Sequence, residues 1–294
     1  MRRKLIKQGG YGLTFYVPKK WVDSKGLKAG DEINISEEDN KLIIEPGETK
    51  KQPKKTEITI NMQSFNIYRS LIGSLYRAGY DEIKVIFDDR KIIPELQKTI
   101  DSLYGFEIFD IDEKSCTIKS VYSEETTEIA SHTRKMIHII KTMQDIILED
   151  IRNNKFISKK ELFEFRSNIL KQRDIIARVI VQKRSLTNKT FPHYLISNNL
   201  WNIARNYYNL YSNTTTKVKK SDIDFLIKTN KYFAEFFERL EKHKLVEKHK
   251  TYRKTINEGI SLIKTNNASI IISYCINILM LIQSCNSQIL LTNH

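Results

Sequence analysis

Six cationic side chains, Arg2, Arg3, Lys4, Lys7, Lys19 and Lys20, stand in the opening stretch of the chain, where RRKLIKQGGYGLTFYVPKKWV spans residues 2–22. Cations gathered this densely serve to neutralise an anion: the phosphates of a nucleic acid, a membrane surface or an acidic protein. Catalytic chemistry finds much less to work with. His132 and His138, like His243 and His249, are six residues apart, which puts the members of each pair on different faces of a helix. No HExxH run, no paired cysteines and no Ser/His/Asp arrangement follows from the spacing, so neither an enzyme nor a cofactor is expected. Cys116, Cys275 and Cys285 form neither a CxxC pair nor an even framework and read as buried, reduced thiols. Tyr207, Tyr208 and Tyr211 lie beside Arg205 and could stack bases, with packing into a helical core as the plainer reading. The basic run Arg166, Lys171, Arg173, Arg178, Lys183 and Arg184 spans several helix faces and reads as a solvated surface, with an anionic partner as the second reading.

The elements that must position these groups differ along the chain. Its 294 residues, 40% hydrophobic, have room for two or three domains, and the net charge of +14 is unevenly spread. Residues 1–56 carry 13 basic and 8 acidic groups, 57–122 carry 8 and 11, and 123–294 carry 28 and 16. Residues 1–30 hold eight basic groups against Asp23, and 31–48 hold seven acids against Lys41, so one end of a small first unit is positive and the other negative. Nine of ten glycines and four of five prolines precede residue 106, and their near absence afterwards marks a long helical region. The N-terminus runs directly into a β-like pattern without an apolar signal segment, so a cytoplasmic protein is the expectation.

In the first unit, Lys4–Ile6 and Leu13–Val17 read as strands around a glycine-rich loop, and Pro18 ends the ladder. Lys19–Lys25 form a short helical turn closed by Gly26, and Ile33–Ile35 and Leu42–Ile44 pair across the acidic turn Glu37-Glu38-Asp39-Asn40. Four short strands in so small a unit leave too much surface exposed, and pairing with a second copy is the natural remedy. The polar stretch 49–56 reads as a linker. Residues 57–122 read as a βαβαββ module: strands 58–62 and 83–87, helices 65–78 and 93–104 closed by Gly79 and Gly105, and a hairpin of 106–111 with 116–121. No glycine-rich phosphate loop follows its first strand, so a spacer or dimerisation module is expected.

From residue 123 onward the pattern is helical, with six helices expected over about 125–154, 159–186, 191–212, 221–244, 246–266 and 268–291, packed three plus three. Ser158 with Glu161, and Ser221 with Asp224, read as capping boxes. No charged residue falls between Thr265 and Asn293, but Ser269, Ser273, Asn277, Ser284 and Ser287 form a polar stripe. The last helix therefore reads as the centre of a bundle and not as a membrane span.

Two resemblances bear on function. KLIKQGGYGLTFYVPKKWVDSKGLKAGDEINI, followed by NKLIIEP, resembles the AbrB/MazE/SpoVT swapped-hairpin family of DNA-binding domains over residues 2 to 46. Gly12, Thr14, Val17, Pro18, Lys19, Gly26, Leu27, Gly30, Asp31 and Ile43-Ile44 carry the likeness. It implies a homodimer in which two chains exchange hairpins into one small barrel. It further implies contact with double-stranded DNA, for which Arg2, Arg3, Lys4, Lys7, Lys19 and Lys20 are the candidate residues. The helical region is similar in length and layout to PhoU proteins, through LKQRDIIARVIVQKRSL (170–186) and NNLWNIARN (198–206). That family holds metal clusters with carboxylates on the bundle surface. Here Ala177, Trp201 and Arg205 stand at carboxylate positions and Asn206 at the histidine position, with Asp174 alone nearby, so no metal is expected.

The expected architecture is thus a multi-domain α+β chain: a dimeric swapped-hairpin β-barrel over 1–48, a linker over 49–56, the α/β module over 57–122 and an all-α PhoU-like bundle over 123–294. The resemblances together imply a DNA-binding transcription regulator linked to phosphate uptake, with a phosphate-transport or signalling protein as a further partner and no membrane insertion. The other expectation is an adaptor that docks on a phosphate transporter or signalling kinase and uses the first domain only to dimerise.

Overall fold

The computed structural model describes residues 2–10, 12–38, 41–47, 53–121, 128–182, 190–214, 218–241, 249–265 and 269–292. Asp39 and Asn40 of the expected turn, residues 49–52 of the expected linker, the first residues of the helical region (123–127), Lys183, Arg184 and His243 lie outside the described residues. The chain divides into two compact units, Met1–Gln52 and Pro53–His294.

In the first unit, β1 (Ile6–Gln8) and β2 (Gly12–Thr14) pair antiparallel with Lys7 opposite Leu13 and Ile6 opposite Thr14. Pro18 precedes the six-residue helix α1 (Lys19–Ser24), where a missing N–H costs nothing. Asp31 accepts a hydrogen bond from the Lys28 N–H (2.7 Å) and so fixes the turn into β3 (Ile33–Glu38). β3 pairs antiparallel with β4 (Lys41–Pro46), Ile35 facing Ile44 and Glu37 facing Leu42. Cross-strand partners share a face, so Ile33, Ile35, Leu42 and Ile44 line one side of this hairpin. None of the described residues of this unit is buried, and Ile35 is 58% exposed.

The second unit opens with a four-stranded sheet in the order β5-β6-β8-β7, from β5 (Lys55–Ile60), β6 (Glu82–Phe87), β7 (Phe106–Phe109) and β8 (Ser115–Ser120). β5 and β6 are parallel, joined through α2 (Phe65–Arg77), and the other pairs are antiparallel. Strand β5 takes up Lys55 and Thr56, the last residues of the expected linker, because the Asp81 carboxylate accepts from the Lys54 N–H (2.8 Å) and extends the ladder. One sheet face is apolar, with Ile60, Ile83, Val85, Phe87, Cys116 and Ile118 in a core completed by Ile72 and Tyr76 of α2 and by Leu96 and Ile100 of α3 (Ile93–Asp101). The other face carries the cross-strand pairs Lys55–Glu82 and Lys84–Glu57, as expected for a sheet solvated on one side. Gly79 and Gly105, after α2 and α3, have φ of +74° and +73°, a region that a side chain disfavours. Ahead of α2, the Asn61 side chain accepts from the Ser64 N–H and caps the turn that leads into the helix.

The helices that follow are α4 (Ile129–Asn153), α5 (Lys159–Gln182), α6 (Phe191–Asn213), α7 (Lys220–Glu241), α8 (His249–Thr265) and α9 (Ile270–Thr292). α4, α5 and α6 pack on one another, α7 and α8 join α9 or α4, and α6 against α9 is the largest of the helix contacts. Isoleucines at three- and four-residue steps supply the seam: Ile140, Ile147, Ile176, Ile203, Ile278 and Ile282 are buried in one core. α7 begins one residue before Ser221, whose hydroxyl donates to Asp222 (3.2 Å) inside the first turn instead of capping from outside it. Along α9 the polar stripe finds partners. Ser269 donates to Asp222 (2.7 Å) and Ser284 accepts from Asn199 of α6 (2.8 Å), while Met280 stays exposed. Among the described residues no helix is long and apolar enough to cross a membrane.

Candidate nucleic-acid interface and a second basic cluster

Arg2, Arg3 and Lys4 precede β1, Lys7 lies in it, and Lys19 and Lys20 open α1; all six are exposed. Among them, Lys7 shares a strand face with Leu13, its cross-strand partner, so its charge stands beside an apolar side chain. The arrangement offers cations on a small strand-and-turn scaffold and nothing for bond-making chemistry. Uncovered apolar faces on both hairpins accompany it, from Leu13 to Leu42.

The basic run in α5 behaves differently from its expected solvated surface. Arg178 is 1% exposed. Its guanidinium donates to the backbone carbonyls of Tyr76 (3.0 Å) and Tyr80 (2.6 Å) and to Asp81 (2.9 Å), and it lies over the rings of Tyr76 and Phe106. Gln182, one turn on, donates to the same Asp81 oxygen (3.0 Å), and Lys171 reaches the Asp101 carbonyl (3.2 Å). Arg77 of α2 pairs with Asp174 of α5 (3.3 Å). These contacts fasten the α/β sheet module to the helices within the second unit. Five planar donors let one arginine close the C-terminal carbonyls of α2 and a carboxylate together, which is why the charge can be buried.

Two other residues of the run gather around Trp201 of α6. The Arg166 guanidinium lies 5.0 Å from the ring centre of Phe163, 5.6 Å from Trp201 and 4.9 Å from Tyr208, and Arg173 lies 5.8 Å from Trp201. Arg173 is held by Asp174 through its Nε (2.9 Å), but among the described residues Arg166 has no carboxylate partner and its Nε is buried without an acceptor. Arg205 is exposed on the same face of α6, one turn after Trp201. The pattern F-x-x-R in α5 opposite W-x-x-x-R-x-x-Y in α6 is the signal in the sequence that marks this cluster.

The three tyrosines separate. Tyr207 is buried, accepting from Gln144 (2.9 Å) and donating to Asn230 (2.9 Å). Tyr211 is likewise buried and donates to Asp150, which also accepts the Ser158 N–H (3.2 Å). Burial first, and the Asp150 contact second, push the Tyr211 hydroxyl up to about 12. Only Tyr208 of the three keeps some access to solvent. His132 Nδ1 meets Gln172 (2.7 Å), while His138 is exposed. The three thiols are buried, and burial pushes Cys116 up to about 11 and Cys275 and Cys285 up to about 12, far from reactive. Among the described residues no group of three His, Cys, Asp or Glu side chains is placed to hold a metal ion. Asp174 is instead taken up by Arg77 and Arg173.

Comparison with known proteins gives one family match. Residues 16–55 match the model of the MazE family, described as antidote-toxin recognition and bacterial antitoxin. That begins just after β2 and covers α1, β3 and β4. No curated protein matches the chain, and no solved structure does. The first unit is therefore similar to the MazE family over residues 16–55, and the comparisons give no support to the likeness of the helical region to PhoU.

Proposed function

We propose that this protein is a homodimeric regulator that binds duplex DNA through its first unit, while its second unit receives a signal or a partner. The observation that carries the reading is the MazE-type match over residues 16–55, which takes in Lys19, Lys20 and the uncovered apolar face of the β3–β4 hairpin and directly follows the cations of the first hairpin. Apolar side chains such as Leu13, Ile35 and Leu42 stabilise a unit this small only when something covers them, and a second copy with exchanged hairpins does so symmetrically. Eight basic groups against one acid in residues 1–30 then place a positive end on the dimer, with Arg2, Arg3, Lys4, Lys7, Lys19 and Lys20 against the phosphate backbone. The link to phosphate uptake rests on the PhoU-like segments 170–186 and 198–206 alone.

Selection from a random duplex library with the full chain tests the reading. Enrichment of a two-fold symmetric site is the expected result, and recovery of unselected sequence only removes the regulator. The matched family also recognises toxins, and the uncovered β3–β4 face is a surface that such a partner protein would fit. A heteromeric species in place of the homodimer, measured by light scattering after co-expression with neighbouring genes, would favour this second reading.

A further inference from the structure

We propose that the face of α5 and α6 built from Arg166, Trp201 and Arg205 is a binding site for a phosphoryl anion, separate from the DNA-binding unit. The guanidinium groups of Arg166 and Arg173 meet at Trp201 and Arg205 stands exposed one turn further along α6, yet one carboxylate, Asp174, serves Arg173 and also Arg77. Among the described residues no carboxylate pairs with Arg166 or Arg205. Like charges gathered this way repel one another unless a multivalent anion sits between them.

The aromatic ring set does more than tolerate Arg166. Its guanidinium lies over the rings of Phe163, Trp201 and Tyr208, which lowers the freedom of the side chain while its N–H groups keep their capacity for hydrogen bonding. A fork held in this manner suits a planar or tetrahedral oxyanion. Arg205 follows Trp201 by one turn, about 6 Å along the axis, so a second fork is within reach of the same ligand. A carboxylate offers two oxygens and one charge, enough for one fork. A phosphoryl group offers three oxygens and close to two charges, enough for both.

Arg166 and Arg173 both lie over the Trp201 ring, so the site offers its guanidinium groups to the phosphoryl group itself more than the ring to a stacked base. The source, inorganic phosphate or a nucleotide, is separated by the test. Calorimetric titrations of the full chain with phosphate, with ATP and with succinate at equal ionic strength are the measurement. One saturable site per chain for phosphate, ATP or both is expected. Binding of phosphate assigns the free ion, and binding of ATP alone assigns a nucleotide.

Arg166→Gln should weaken binding by about tenfold or more, since a charge-assisted fork is lost. Arg205→Gln, at an exposed position that folding does not need, should weaken it as well. Lys160→Gln, which removes an equal charge at the exposed start of α5, should change affinity by less than about twofold. The proposal is overturned if neither phosphate nor ATP saturates, if succinate binds as tightly, or if Lys160→Gln costs as much as Arg205→Gln.

Discussion

Arg178 and Asp81, 97 residues apart in sequence, meet at 2.9 Å where α5 crosses the end of α2, with the arginine side chain 1% and the aspartate 31% exposed. The pair is one corner of a larger junction, because the same guanidinium also closes the carbonyls of Tyr76 and Tyr80. Arg178→Leu would take the shared guanidinium from those carbonyls and from Asp81, which would keep Gln182 and the Lys54 N–H as donors. Asp81 can rehydrate in part, which places the cost at about 3 kcal/mol, the low end for a broken buried ion pair. For a unit of this size that is a fall of roughly 5–10 °C in the unfolding midpoint. Calorimetry of the full chain checks it. An unchanged midpoint would mean that the junction contributes nothing.

The thiols and Tyr211 give the second prediction. Folding raises Cys116 from an ordinary 9.0 to about 11, Cys275 and Cys285 to about 12, and Tyr211 from 10.0 to about 12. The unfolded chain therefore releases these protons first as the solution is made alkaline. The stability that the groups contribute is complete below about pH 9 and is lost as pH rises toward 11–12. The midpoint should fall across that window, less steeply in Cys275→Ala. Native protein at pH 8 should leave a thiol reagent unreacted, and three thiols should appear in denaturant. Rapid titration of any thiol in the native state would contradict the burial.

Much of the fold is legible in the sequence. Gly79 and Gly105 mark helix ends because positive φ is needed there, and the alternation of Ile83, Val85 and Phe87 marks a half-covered strand. Arg178 was not legible as a core residue from the spacing of charges. Its neighbours Ile175, Ile176, Ala177, Val179 and Ile180 are all buried, so the run IIARVI over 175–180 is covered on every side up to the exposed Val181, and the arginine within it had to be buried too. The basic residues of the first unit were legible as a group. On the proposed reading a second copy covers the apolar faces beside them, a contact that no local pattern encodes.

The third prediction concerns those faces. Ile35→Asp puts a carboxylate opposite Ile44, where a second copy would have to desolvate it. Losing roughly 2 kcal/mol of burial in each of two chains weakens association about a thousandfold. Ser36→Asp, on the other side of β3, should leave association intact. Sedimentation equilibrium of the full chain distinguishes them. A monomeric parent protein, or equal effects of both substitutions, would remove the exchanged-hairpin dimer.

The central claim is that the exposed cations of the first unit grip duplex DNA. Fluorescence anisotropy with a labelled duplex, taken across a salt series for the full chain and for Arg2→Ala/Arg3→Ala/Lys4→Ala, tests it most directly. Each phosphate contact removed should flatten the slope of log K against log salt by about 0.9, and affinity at low salt should fall with it. Circular dichroism and oligomeric state should be unchanged, since these side chains are exposed. Identical slopes and affinities for the two proteins, or no binding by the parent chain, would contradict the account.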